Sequence, residues 1–168
     1  LFNASPRTVA VGGTSGKSTV TGMIGWIASE LSCDPTIMNG AVMRNFADAE
    51  APFASSQVGK GGLFISEVDE SDGSIALFQP EIAVLNNITL DHKILDELRQ
   101  LFGDFAARAT CTVWNADDPE SVALMKGKSK AVSFGFAENA DYRAVDLVEA
   151  PLSVEFRLLV KGAEYAVK

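Results

Sequence analysis

Hydrophobic and polar positions divide this chain into short apolar, β-branched runs separated by stretches with helical spacing. Thr8 to Val11 is the first such run and reads as a buried strand. A Gly-rich turn follows. Val20, Met23, Ile24, Ile27 and Leu31 then recur at intervals that place them on one helical face. Gly22 and Gly25 fall inside that helix, where each costs about 1 kcal/mol relative to Ala; close packing on a sheet is the expected compensation. Thr36 to Met38 predicts a short strand beyond Pro35. The stretch from Asn39 to Gly62 has no clear period and is rich in Ala, Ser and Gly, so it reads as loop with short helical pieces. Its length marks it as a candidate functional loop.

Leu63 to Glu67, Glu81 to Leu85, Thr112 to Trp114 and Ala131 to Phe134 are further buried strands. Between them, Leu95, Leu98, Leu101, Phe102, Phe105 and Ala109 mark a helix, and Pro119 to Met125 a shorter one. Alternating strands and helices predict an α/β fold: a mostly parallel, doubly wound sheet with helices on both faces. The tail differs. Tyr142 to Val148, Ser153 to Val160 and Glu164 to Val167 read as strands with no helices between them, and Lys161-Gly162 as a tight turn. The expectation is a βα core over 1–135 and a small C-terminal β-hairpin annex over 140–168.

Composition narrows the partners. With 168 residues the chain can bury a real core as one domain. It has 22 acidic against 14 basic residues, a net charge of −8, and no basic block. That argues against nucleic acid and against an anionic membrane as partners. No apolar run approaches the ~20 residues of a membrane span. Cys33 and Cys111 are isolated thiols without metal-ligand spacing, which fits a reducing cytoplasm. The chain starts at Leu1 and has no signal peptide before its first strand, so it reads as one domain excised from a longer cytoplasmic protein.

The densest candidate chemistry lies between the first strand and the first helix, in Gly12-Gly13-Thr14-Ser15-Gly16-Lys17-Ser18-Thr19. This order suits a phosphate-binding loop. Glycines let backbone N–H groups curl around an oxyanion, and the helix N-terminus adds partial positive charge. Lys17 can reach terminal phosphates, and Ser18 can offer its hydroxyl to Mg²⁺. The general loop pattern puts Gly five residues before Gly16, where this chain has Val11.

Three other strand ends carry polar groups. Glu67-Val68-Asp69-Glu70-Ser71-Asp72-Gly73 places four carboxylates in six residues. Glu67, at the strand end itself, is the candidate Mg²⁺ ligand. Asp69, Glu70 and Asp72 read as solvated or helix-capping. Asn86-Asn87-Ile88-Thr89-Leu90-Asp91-His92 carries the only His of the chain, placed to hold a second metal or orient a phosphate, with Asp91 behind it. In Trp114-Asn115-Ala116-Asp117-Asp118-Pro119, Asp118 reads as a helix start, and Asn115 either touches a base or ribose or caps its own turn.

Taken in order, GGTSGKST, SEVDESDGS, NNITLDH and NADDP resemble the ATP-binding central domain of the Mur ligase family, over nearly all of the chain. The DESDGS and ALFQPEIAVLNN stretches are most similar to the branch that adds L-alanine to UDP-N-acetylmuramate. The resemblance implies ATP-dependent amide formation through an acyl phosphate, in the cytoplasm, for peptidoglycan precursor synthesis. It also implies roles. Lys17 and the N–H groups from Gly13 to Ser18 would hold the β- and γ-phosphates, with Thr14, Ser15, Gly16, Thr19 and Asn87 around the nucleotide. Ser18 and Glu67 would hold Mg²⁺, and His92 would serve a second Mg²⁺. The UDP-sugar and the amino acid would be bound mainly by flanking domains.

Departures are visible. Ser15 stands where the alanine-adding branch usually has His, and Ser18 where it has Thr. Phe105-Ala106-Ala107-Arg108 offers no counterpart to the carbamylated Lys of several relatives. The Asn86-Asn87 pair is also similar to the branch that recycles murein tripeptide. Two other classes remain open at this level: a P-loop NTPase or small-molecule kinase, and a nucleotide-binding module inactive in isolation.

Overall fold

The computed structural model describes residues 1–90 and 94–168. Along the chain run β1 (Arg7–Gly12), α1 (Lys17–Glu30), β2 (Thr36–Met38), β3 (Ser56–Gln57), β4 (Leu63–Glu67) and β5 (Ile82–Leu85). They are followed by α2 (Leu95–Arg108), β6 (Cys111–Asn115), α3 (Pro119–Met125) and β7 (Ala131–Gly135). The tail holds β8 (Tyr142–Ala150), β9 (Ser153–Val160) and β10 (Ala163–Val167). All these strands join one sheet, in the order β10-β9-β8-β7-β6-β5-β1-β4-β2-β3.

The pairs from β2 through β4, β1, β5, β6 and β7 to β8 are parallel. Only β3 at one edge and the β8–β9–β10 meander at the other are antiparallel. From β1 the chain crosses through α1 toward the β2 edge, whereas from β5 it crosses through α2 toward β6. Right-handed crossovers in opposite directions put α1 and α2 on opposite faces, as the doubly wound reading requires. The turn after β1 therefore sits where strand order reverses, the usual ligand crevice of such sheets.

One face of the core is built from Phe102, Phe105 and Leu98 of α2 on Ala83, Leu85 and Ala10, closed by Ile75 and Ile88. The other face corrects the predicted side of α1. Met23 and Leu31 are 60% and 71% exposed, and Ile27 is exposed with them. Thr21, Gly25 and Ala28 are the buried positions instead. The reason is a close approach: a Cβ on Gly25 would stand 2.6 Å from Ile37 Cδ1 of β2. Small residues let α1 sit on the sheet, so the large ones turn outward, where Trp26 meets the ring edge of Phe46 with centroids 5.6 Å apart.

The unpatterned stretch from Asn39 to Gly62 contains one 3-10 turn (Arg44–Phe46) and also β3, which extends the sheet beyond β2. Between β9 and β10, Lys161 and Gly162 both have positive φ (49° and 79°), the backbone of a type I′ hairpin turn. Among the described residues, no helix is long and apolar enough to cross a membrane.

Candidate functional site

Parallel pairing aligns the carboxyl ends of β1, β4 and β5. Val11 stands beside Glu67, and Gly12 beside Leu85. The turn Gly13–Gly16 and the start of α1 thus lie between the acidic end of β4 and the Asn-rich end of β5. Gly16 has φ +76°, a left-handed backbone that side chains disfavour, and a Cβ there would come within 2.8 Å of Asn86 Nδ2. Because α1 begins at Lys17, its first N–H groups have no partner within the helix. Gly16, Lys17, Ser18 and Thr19 at this helix start line a cavity of about 260 Å³ together with Thr14, Ser15 and Glu67.

The loop is held from behind by the end of β5. Asn87 Oδ1 accepts from Thr14 Oγ1 (2.8 Å) and Ser15 N (2.9 Å), while its Nδ2 donates to Ser15 O (3.1 Å). Asn86 Nδ2 donates to the same carbonyl at 2.7 Å. The Thr14 hydroxyl also pairs with Thr89 Oγ1 at 2.7 Å. Both ends of the Asn87 amide are therefore spent on the loop, so here Asn87 shapes the Gly13–Gly16 turn through Thr14 and Ser15.

In front of the loop, Ser18 Oγ donates to Glu67 Oε2 at 2.8 Å, and Gly40 N donates to the same oxygen at 2.8 Å. Asn39 Nδ2 donates to Ser18 O at 3.0 Å, and its buried Oδ1 has no hydrogen-bond partner among the described residues. Ser18 and Glu67 supply two adjacent hard oxygen donors facing the loop. Among the described residues, no group of three or more His, Cys, Asp and Glu is placed to hold a metal by itself. A sparse oxygen set of this kind fits Mg²⁺, which keeps waters and shares substrate phosphates, better than it fits a cation needing an all-protein cage.

One carboxylate departs from its solvated or capping reading. Glu70 is 4% exposed, and its Oε2 accepts from Lys17 Nζ at 2.8 Å. Lys17 also donates to Gly13 O at 2.8 Å. Asp69 and Asp72 do cap local turns, accepting from Ser71 N and Ser74 N. At Asp72 the Ser74 N–H holds the carboxyl below its ordinary value. Four acids in six residues gave no sign which would turn inward, because the partner of Glu70 lies 53 positions away.

The end of β6 carries its own arrangement. Asn115 Oδ1 accepts from Asp117 N (2.9 Å), the turn-capping alternative, which leaves Nδ2 as the group able to reach a ligand. Asp118 is buried and caps α3, accepting from Ser121 N and Oγ, and its Oδ2 also takes Ile88 N from the β5 end. Asp118 thus ties two strand-end loops together. Asp91 and His92 lie outside the described residues, so the structure brings together Lys17, Ser18 and Glu67 of the predicted set and does not speak to His92.

The Mur ligase middle domain matches this sequence over residues 11–168. The chain belongs to the Mur ligase family. It is 33% identical over 168 residues to the UDP-N-acetylmuramate–L-alanine ligase of Streptomyces coelicolor, which covers 94% of this chain and 35% of that protein. Among solved structures it resembles the UDP-N-acetylmuramate–alanine ligase of Thermotoga maritima, with TM-score 0.78, 22% identity, and coverage of 96% of this chain and 36% of that one. The MurF ligase of the same organism, solved in complex with ADP, superposes with TM-score 0.75 at 20% identity, covering 98% of this chain and 40% of that one. The chain spans about a third of the length of the curated relatives it matches.

Proposed function

We propose that this chain supplies the Mg-ATP site of an ATP-dependent amide-forming ligase of peptidoglycan precursor synthesis, which adds an amino acid such as L-alanine to UDP-N-acetylmuramate. The observation that carries the reading is the meeting of a glycine-rich loop with an oxygen pair: Lys17 and the first α1 N–H groups, unpaired within the helix, on one side, Ser18 Oγ 2.8 Å from Glu67 Oε2 on the other. The N–H groups and the Lys17 ammonium would bind the β- and γ-phosphates of ATP. Asn86 and Asn87 keep the loop in the shape that aims those N–H groups. When bound by Ser18 and Glu67, Mg²⁺ would neutralise phosphate charge as it develops.

In the reaction, a substrate carboxylate oxygen attacks the γ-phosphorus, and ADP leaves. The amine then attacks the acyl carbon, loses its proton, and inorganic phosphate departs as the amide forms. No residue of this chain has to serve as a covalent nucleophile; its groups position reactants and offset charge. The UDP-sugar and the amino acid would be held mainly by parts of the protein outside this chain. The apolar cavity of about 370 Å³ between the β7 end and β8–β9, with Asn115 at its edge, offers a place for the rest of the nucleotide.

Calorimetric titration with a non-hydrolysable ATP analogue, with and without Mg²⁺, tests the site. Magnesium-dependent binding is expected, and Glu67→Ala should remove most of the dependence on the metal. Equal binding with and without metal by the unaltered chain would overturn the assignment of Ser18 and Glu67. In a protein that also carries the flanking domains, ATP turnover driven by a non-carboxylate acceptor would replace the ligase reading with a kinase.

A further inference from the structure

The ammonium of Lys17, the only cation among the described residues that line the phosphate cavity, already has a counter-charge. Its side chain is 13% exposed and that of Glu70 only 5%, and they meet at 2.8 Å. Two of the three Lys17 donors are committed, to Glu70 Oε2 and Gly13 O. A phosphate oxygen arriving at the third would share one ammonium with a carboxylate. Two acceptors on one ammonium lie at most about 5.6 Å apart, and about 4.6 Å in tetrahedral geometry. At that separation, in a partly buried site, like charges repel strongly. Glu67 adds a second negative charge at the front of the cavity. Among the described residues, the charged side chains around the phosphate position, Lys17, Glu70 and Glu67, therefore sum to net negative before any ligand arrives.

We infer that Glu70 is a positioning residue and counter-charge for Lys17 that makes polyphosphate binding at this loop conditional on a divalent cation. The inference rests on the phosphate-site reading above and deepens it. Glu70 and Gly13 O hold the ammonium at the loop, and the same carboxylate cancels the attraction that a bare polyphosphate would otherwise gain from it. A ligand carrying its own divalent cation brings the charge that the site lacks. Free inorganic phosphates and metal-free nucleotide are thereby refused by a loop whose backbone alone would welcome them.

The test uses inorganic tripolyphosphate, titrated calorimetrically in EDTA and in Mg²⁺, against the unaltered chain, Glu70→Gln and Glu70→Asp, with folding verified by circular dichroism. Glu70→Gln keeps the size and a hydrogen bond to Lys17 but drops the charge. It should cut the ratio of metal-free to Mg²⁺ dissociation constants by roughly tenfold or more, mostly by tightening the metal-free complex. Glu70→Asp keeps the charge and should retain most of the ratio. A purely structural role predicts the reverse order, with the isosteric Gln mild and the shortened Asp disruptive.

Metal-free affinity in Glu70→Gln at or below that of the unaltered chain would overturn the inference, as would Asp behaving like Gln. Should the amide variant fail to fold, Glu70→Ser, which also lacks the charge, carries the same expectation. If the unaltered chain binds neither Mg-tripolyphosphate nor Mg-ATP, the phosphate site itself falls and the inference with it. That outcome is distinct from failure in the variants alone.

Discussion

Lys17 is where stability and ligand binding meet in one side chain. In the proposed site, removing it would take a charge-assisted donor from the phosphates, and it also strands Glu70, which is 4% exposed and has Lys17 as its ion-pair partner. Lys17→Ala should therefore weaken Mg-ATP binding by roughly ten- to a hundredfold. It should also lower the stability of the ligand-free chain by about 2–3 kcal/mol, read from the urea midpoint. An alanine variant with unchanged midpoint would show that the pair contributes nothing to the fold. That Lys17, Ser18 and Glu67 come together was legible, because loop order and strand-end placement are local properties of the sequence. The contact of Glu70 with Lys17, and that of Asn87 with Thr14 and Ser15, were not legible, since each depends on a partner more than fifty residues away.

Elements carry the site because loops and helix ends lock them in place. Asp118 caps α3 and also takes the Ile88 N–H, so one buried carboxylate fixes the β5-end loop behind the Gly13–Gly16 turn. Asp118→Ala should cost about 2–3 kcal/mol, more than an ordinary cap, because the Ile88 N–H is orphaned as well. A loss below about 1 kcal/mol by denaturant titration would mean that the tie is incidental. The return of the long loop into β4 is fixed by contact between backbones: Gly61 N donates to Asp34 O, and a Cβ on Gly61 would fall 1.7 Å from Cys33 O. Backbone cannot yield as a side-chain tip does, so Gly61→Ala should lower stability by at least about 2 kcal/mol or shift the loop, seen as amide shifts around Cys33 to Pro35. Helix existence was readable from apolar spacing, but the buried face of α1 was not. Spacing ranks residues by hydrophobicity, whereas the contact with Ile37 selects them by size, through Gly25.

At the scale of the whole molecule, the sheet has one narrow joint. The three tail strands were legible, but their continuity with the parallel core was not, because β8 pairs with β7 only through Phe134–Tyr142 and Gly135–Arg143 before running past its end. Two acidic residues reinforce so short a parallel seam. Asp117 accepts from Phe136 N and Ala137 N, and Asp141 Oδ2 accepts from Ser133 N and Oγ, each at 2.8 Å, while Asp141 N donates back to Ser133 Oγ. The Ser133 backbone N–H, then its hydroxyl, hold the Asp141 carboxyl below its ordinary value of 3.8. A carboxyl depressed in the folded chain contributes stability that is complete above its unfolded pKa and is lost as pH falls through the lower folded value. The β8–β10 meander should therefore loosen from the core first on acidification. Amide exchange, corrected for intrinsic rate, is expected to lose protection in β8–β10 ahead of β1, β4 and β5 as pH drops from about 5 to 3. Asp141→Asn, which cannot titrate, should flatten that difference while starting from weaker protection at neutral pH. Simultaneous loss across all strands in both proteins would mean that the joint is set by the ladder alone and that Asp141 does not govern it.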